Sequence, residues 1–277
     1  MIDEPDIIDA VRRALEEDIG SGDVTTQACV AEDRPATGRF LAREPQIVAG
    51  VELLPLIYRM RGGIEELQIE RASGAPAGAG EVVAFVRGRA GVLLECERVS
   101  LNFLQRLSGI ATLAHRFAGQ VAGTKCRVLD TRKTTPGLRR LEKMAAAAGG
   151  VTNHRMGLYD AVLIKNNHIT AAGGVRQALQ RTAHLRGLPV EIEVRTEAEL
   201  REALDSGATH LLLDNLTPAE AAVWVREIGG RATVELSGGI TLENVREYAE
   251  AGADFVSAGA ITHSARAMDI SFRLDLA

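Results

Sequence analysis

The sequence is short of features that several function classes need. Only three cysteines occur, Cys29, Cys96 and Cys126, with no CxxC pair and no histidine-rich run beside them. That excludes a disulfide framework or a cysteine-based zinc site and fits a reducing compartment. Aromatic residues are 4% of the chain, which leaves the core to Ala, Val and Leu, with Gly abundant at 28 residues, usage that suits α/β architecture. No apolar run approaches the length that crosses a bilayer, and the opening MIDEPDIIDAVRRALEED is acidic and amphipathic rather than basic and then apolar. The expectation is therefore a soluble protein of the cytoplasm that does not engage membranes. Positive charge is not in excess either: the net charge of −5 argues against non-specific nucleic-acid binding, and any anion must be held by local clusters.

What is present has a plan. The 277 residues are enough for one large α/β barrel or two ordinary domains. Ile7, Ile8, Val11, Leu15 and Ile19 behind Pro5 predict a surface helix over residues 6–19, ended by the turn-rich GSGDVTT. From Thr37 to Gly91, short β-like pieces (GRFLA, QIVAGV, LQIERA, EVVAFVRGRA) separated by Gly and Pro predict a small sheet-containing domain, with helical period only around residues 51–60. Leu101, Leu104, Leu107, Ala111 and Ala114 predict a long helix over 92–118, interrupted only by Gly109, with Arg98, Asn102 and Gln105 on another face. After residue 120 the pattern becomes apolar run, polar or Gly-rich end, helix. The runs RVLD, AVLIK, VEIEV, HLLLD, ATVEL and DFVSA predict parallel strands of a sheet that can close as a barrel.

In such a barrel the strand ends open onto one mouth, and there the chemistry-bearing residues fall. Two consecutive Gly-rich ends, SGGI and SAGAI, are places for phosphate, because Gly lets the backbone approach an anion; each alone could equally be a tight turn. Arg132, Lys133, Arg139, Arg140, Lys143, His154, Arg155 and Lys165 form a basic group within an acidic protein, and such a mixture suits a ligand with several anionic groups. Arg140 reads equally well as part of a solvated helix face. Glu193 and Asp214 end adjacent strands and offer the hard oxygens that Mg²⁺ uses beside phosphate, with general acid/base work or salt bridging as alternatives. His154 could be a proton donor, an anion contact or a structural histidine.

The strings ERVSLNFLQRLSGIAT, DTRKTTPGLR, NHRMGLYDAVLIKNNHI, LLLDN, SGGI and SAGAITHSARAMDIS, in that order and after EEDIGSGDVTT, resemble the quinolinate phosphoribosyltransferase family over nearly the whole chain. The resemblance implies an N-terminal α/β sandwich domain, residues 1–110 with 266–277 returning to it. It also implies a C-terminal incomplete (open) α/β barrel of about six or seven strands, residues 111–265. It implies transfer of phosphoribosyl from phosphoribosyl pyrophosphate to quinolinate with loss of carbon dioxide, giving nicotinate mononucleotide. Lys133, Lys165, Glu193 and Asp214 would be catalytic, and Arg98, Thr131, Arg132, Lys133, His154, Arg155 and Lys165 would hold the dicarboxylate. Ser237, Gly238, Gly239, Ala258, Gly259 and His263 would hold phosphate, and Glu193 and Asp214 a Mg²⁺. The family pattern further implies a homodimer or larger assembly in which Arg98 enters the neighbour's site.

The chain departs from that pattern at MAAAAGGVT before Asn153, at Asn166 where an acid is usual, and at Arg195 where an acid often follows the Glu-x-Glu-Val run. The last two make the mouth more positive. A paralogous phosphoribosyltransferase acting on another aromatic acid, and a non-catalytic barrel that binds phosphorylated metabolites, are the rival expectations.

Overall fold

In a computed structural model, residues 2–185 and 187–276 are described. In chain order they form α1 (Pro5–Ile19), α2 (Val24–Cys29), β1 (Pro35–Ala42), β2 (Gln46–Ile47), α3 (Leu54–Arg59), β3 (Glu66–Ile69), β4 (Pro76–Ala77), β5 (Val82–Arg89) and α4 (Ala90–Gln120). There follow β6 (Arg127–Leu129), α5 (Arg139–Ala148), β7 (Val162–Ile164), α6 (Asn166–Ala172), α7 (Val175–Thr182), β8 (Val190–Val194), α8 (Glu197–Asp205) and β9 (His210–Asp214). The chain ends with α9 (Pro218–Ile228), β10 (Thr233–Ser237), α10 (Val245–Glu250), β11 (Phe255–Ser257), α11 (Ala260–His263) and β12 (Ile270–Leu276). They divide into two compact units, one of residues 2–115, 134–150 and 264–276, the other of 116–133 and 151–263.

The first unit carries a four-stranded antiparallel sheet in the order β12-β1-β5-β3. Its edge strand β12 comes from the far end of the chain and pairs with β1 from Ala42↔Ile270 to Ala36↔Leu276. Phe40 and Phe272 face each other across that pair, with ring centroids 4.9 Å apart. α1 buries Ile7, Val11 and Leu15, the expected stripe. The GSGDVTT stretch turns at Gly20–Gly22 as expected and ends α1, but its second half begins α2, because the Asp23 side chain accepts hydrogen bonds from the Thr25 and Thr26 N–H groups and caps a helix.

α4 explains its own glycine. A Cβ at Gly109 would lie 1.9 Å from the carbonyl oxygen of Arg266, so the helix tolerates only hydrogen there while the returning segment packs on it. Beside that contact Gln105 donates its amide to the Ile270 carbonyl at 2.7 Å and accepts from the Met268 N–H at 3.0 Å on its own carbonyl. The expected boundary at residue 110 falls inside this helix. Residues 134–150, expected within the barrel, group with the first unit. The physical reason is Glu142 on α5: its fully buried carboxylate accepts from Arg106 of α4 at 2.8 Å and from the Thr135 N–H and hydroxyl at 3.0 and 2.7 Å. A charge so buried is tolerated only when paired and hydrogen-bonded, and its partners lie on α4 and in the loop before α5.

The second unit is one parallel sheet in the order β6-β11-β10-β9-β8-β7. Chain neighbours pair from β7 to β11, and β11 then pairs with β6, the first strand. Among the described residues, β6 and β7 share no ladder; an isolated parallel bridge, Leu129 to Thr152, stands near that gap. This is the expected incomplete barrel, with six strands among the described residues, and each predicted apolar run supplies one. The strands are buried on both sides, as Leu211, Leu212 and Leu213 illustrate, which is why they read as continuous apolar runs. Caps start the helices after them: Thr196 accepts from the Glu199 N–H, and Thr217 and Glu220 form a reciprocal capping box with Pro218 in the first turn of α9. No described helix is long and apolar enough to cross a membrane.

Candidate active site

The carboxyl ends of the six strands surround a cavity of about 810 Å³ within the second unit. Parallel register brings the ends level, with Ser237 opposite Asp214 and Ser257 opposite Leu129. Of the expected site residues, Thr131, Arg132, Lys133, His154, Arg155, Lys165, Glu193, Asp214, Ser237, Gly238, Gly239, Gly259 and His263 all line it. Ala258 does not: it is buried, and its N–H is spent on the Leu129 carbonyl at 3.1 Å, while its neighbours Ser257 and Gly259 face the cavity. Arg98 is exposed on α4 in the first unit and is not part of the lining. Arg139, Arg140 and Lys143 are also outside it: Arg140 pairs with Asp6 at 2.7 Å, Arg139 donates to the Thr134 hydroxyl at 3.1 Å, and Lys143 is buried in α5.

The cationic side of the cavity is built from β6 and the loops after it. The Lys133 N–H donates to the Thr131 hydroxyl at 3.1 Å, and the Thr262 hydroxyl donates to the Lys133 carbonyl at 2.8 Å, tying the end of β6 to α11. The buried Asp130 carboxylate accepts from the Asn153 amide at 2.6 Å and from the His154 N–H at 2.8 Å, which fixes the loop carrying His154 and Arg155. Burial and then the nearby Arg132 charge hold the Arg155 guanidinium below its ordinary pKa. The Nε of Arg132 is buried without a hydrogen-bond partner. Two neighbouring guanidiniums, one with a donor left over, are a donor set suited to an anion with more than one acceptor oxygen.

The anionic side comes from β8 and β9. Glu193 is 4% exposed; Arg195 Nη2 lies 2.6 Å from it and 4.0 Å from Asp214, and Lys165 Nζ is 3.7 Å from Glu193. Burial, and next the Glu193 charge, push the Asp214 carboxyl above its usual range, against the pull of Arg195, Lys165 and Lys133. Arg195 Nη2 thus lies within ion-pair reach of both carboxylates, and hard carboxylate oxygens are the donor type Mg²⁺ takes. At the β9 and β10 ends, Asn215 adopts a left-handed backbone (φ 58°), donates its amide to Asp214 at 2.7 Å and its N–H to the Ser237 carbonyl at 2.9 Å. Gly238 is obligatory beside it, since a Cβ would sit 2.2 Å from the Asn215 amide oxygen and φ is +95°.

Two functional residues escaped the sequence reading. His154 Nε2 lies 3.5 Å from Glu191 and 3.3 Å from Glu235, both inside the barrel. Alternation in VEIEV places Glu191 on the same side of β8 as Glu193, and Glu235 is the one acid in an otherwise apolar strand core; that was the available signal. Burial alone would lower the His154 pKa, but the hydrogen bonds and charges of the two glutamates outweigh it and raise the pKa to about 9. Burial, with the Glu235 charge adding to it, raises the Glu191 pKa against the pull of His154. The Arg155 N–H donates to His154 Nδ1 at 2.7 Å, so the ring proton sits on Nε2, facing the two glutamates. A histidine whose folded pKa is raised contributes stability fully below its unfolded value of about 6.5 and loses it as pH climbs through about 9. NMR titration of the His154 ring is expected to give a midpoint near 9 that falls in Glu235→Gln; a midpoint at the ordinary value in both proteins contradicts this pairing.

Comparison with known proteins follows the same lines. A family model for the quinolinate phosphoribosyl transferase N-terminal domain matches residues 23–108, and one for the C-terminal domain matches residues 110–273. The chain is 40% identical over 273 residues to the nicotinate-nucleotide pyrophosphorylase [carboxylating] of Mycobacterium leprae, covering 96% of both chains. It is 38% identical over 262 residues to the probable nicotinate-nucleotide pyrophosphorylase [carboxylating] of Bacillus subtilis, covering 94% of this chain and 90% of that one. The solved nicotinate-nucleotide pyrophosphorylase of Francisella tularensis superposes with a TM-score of 0.93 at 34% identity, over 98% of both chains.

Proposed function

The chain belongs to the quinolinate phosphoribosyl transferase family, and we propose on that footing that it transfers phosphoribosyl from phosphoribosyl pyrophosphate to quinolinate with decarboxylation, yielding nicotinate mononucleotide, pyrophosphate and carbon dioxide in NAD biosynthesis. The observation that carries the reading is the unpartnered Arg132 Nε beside Arg155, in a cavity that also holds Lys133 and the raised His154. That constellation suits two ring carboxylates better than one.

In this reading Arg132, Arg155 and His154 grip the dicarboxylate, and Lys133 and Lys165 stand at the junction of the cationic and anionic sides. Holding the acid leaves its ring nitrogen to meet the anomeric carbon of the sugar, and positioning supplies much of the acceleration, worth about 7–11 kcal/mol in well-oriented reactions. Ser237, Gly238, Gly239, Gly259 and His263 hold the sugar phosphate through backbone and side chain. Glu193 and Asp214 stabilise positive charge that develops at the sugar carbon as pyrophosphate leaves. They would also hold Mg²⁺, which would supply charge neutralisation for a pyrophosphate leaving group. After the bond forms, the ring nitrogen is positive; loss of the adjacent carboxylate as carbon dioxide leaves its electron pair on a carbon stabilised by that charge and by a lysine ammonium, and a proton then replaces it. No covalent enzyme intermediate is needed.

The assembly reading is a homodimer in which the exposed Arg98 of one subunit completes the neighbour's cavity. With quinolinate, phosphoribosyl pyrophosphate and Mg²⁺, the protein is expected to release carbon dioxide and pyrophosphate in equal amounts, and none with nicotinate in place of quinolinate; pyrophosphate without carbon dioxide, or neither product, overturns the assignment. Arg98→Ala and Lys133→Ala are each expected to be inactive alone, yet to regain about a quarter of wild-type turnover when unfolded and refolded together, because mixed dimers then hold one intact site. No recovery, with mixed dimers demonstrated, removes Arg98 from the neighbour's site.

A further inference from the structure

Glu193 and Asp214 stand side by side at low exposure, 4% and 17% by side chain, and neither can be left uncompensated without cost. Arg195 answers both at once. Its guanidinium Nη2 is 2.6 Å from Glu193 and 4.0 Å from Asp214, and its own N–H is held by Glu199 at 2.8 Å in the turn between β8 and α8. Lys165 adds a second positive charge 3.7 Å from Glu193. The carboxylate pair is thus neutralised by this chain's own side chains. The Arg195 side chain remains 47% exposed, so it can swing out on its flexible stem without uncovering the barrel interior.

We infer that Arg195 is a built-in counter-cation for the Glu193–Asp214 pair, occupying the place a divalent metal would take, so that the protein alone binds the metal weakly and releases the pair only when Arg195 is displaced. Arg195 is a positioning residue in this account: it holds the pair in place in the absence of metal, and it sets the metal concentration at which the pair exchanges partners. Removing one positive charge within about 4 Å of a metal site strengthens cation binding substantially even after solvent screening. The inference rests on the proposed function only for the identity of the metal-holding pair.

The test is binding of Mn²⁺, used as a paramagnetic stand-in for Mg²⁺, to the full chain without substrates, followed by electron paramagnetic resonance and checked by titration calorimetry. Arg195→Gln is expected to bind Mn²⁺ about tenfold or more tightly than wild type, Arg195→Lys is expected to stay within about threefold of wild type, and Glu193→Gln added to Arg195→Gln is expected to abolish the gain. Equal affinity in wild type and Arg195→Gln, including no detectable binding by either, overturns the inference; so does a gain that survives Glu193→Gln, because the metal would then lie elsewhere. Melting curves in the absence of metal establish that each variant is folded, and Arg195→Ala replaces Arg195→Gln should the latter fail to fold. Since no substrate enters the measurement, failure of the quinolinate reading leaves this result standing, and failure here leaves that reading to its own product assay.

Discussion

Parallel pairing of the first barrel strand with the last dictates most of what the second unit can do. Once β11 pairs with β6, every strand points its carboxyl end the same way, and side chains far apart in sequence must face one another across one cavity. Like charges are then brought close: Arg132 beside Arg155, Glu193 beside Asp214, Glu191 beside Glu235. Each such pair raises the free energy of the empty site unless something of opposite charge lies between. His154 meets the buried glutamates, Arg195 meets the pair at the β8 and β9 ends, and the two arginines keep a donor in hand for a ligand. A polar network of this kind comes at some expense in stability, which the apolar strand cores offset.

The sequence disclosed the barrel because buried parallel strands read as uninterrupted apolar runs and their polar ends recur at the spacing of a strand, loop and helix. All six runs are strands, and the strand-end residues converge. What it concealed was set by contacts distant along the chain. Residues 134–150 join the first unit because Glu142 finds Arg106 there, and no local pattern announces which helix a buried acid will face. Gly109 reads as a helix interruption, yet it marks the closest approach of the returning C-terminal segment. Ala258 lies one residue from the cavity because a single-residue step along a strand end turns it from the mouth to the sheet. The Asp23 cap that starts a helix within an expected turn was visible as residue type but not as geometry.

Departures from the family pattern fall into two physical kinds. In the MAAAAGGVT stretch, Ala145 and Ala146 are buried in α5, so small residues there serve packing within the first unit. Asn166 and Arg195 instead line the cavity itself, where both add to its positive character. A site made more positive by an acid-to-amide change and an added guanidinium suits ligands of high negative charge, in line with two substrates that together carry two carboxylates, a phosphate and a pyrophosphate.

The most direct measurement of that preference is calorimetric titration of the protein with quinolinate and with nicotinate, at low and high salt and without the sugar substrate. The account predicts that quinolinate, with its second carboxylate for the Arg132–Arg155–His154 group, binds about tenfold or more tightly than nicotinate, and that the margin shrinks as salt screens the charges. Equal affinities for the two acids, unmoved by salt, would contradict it.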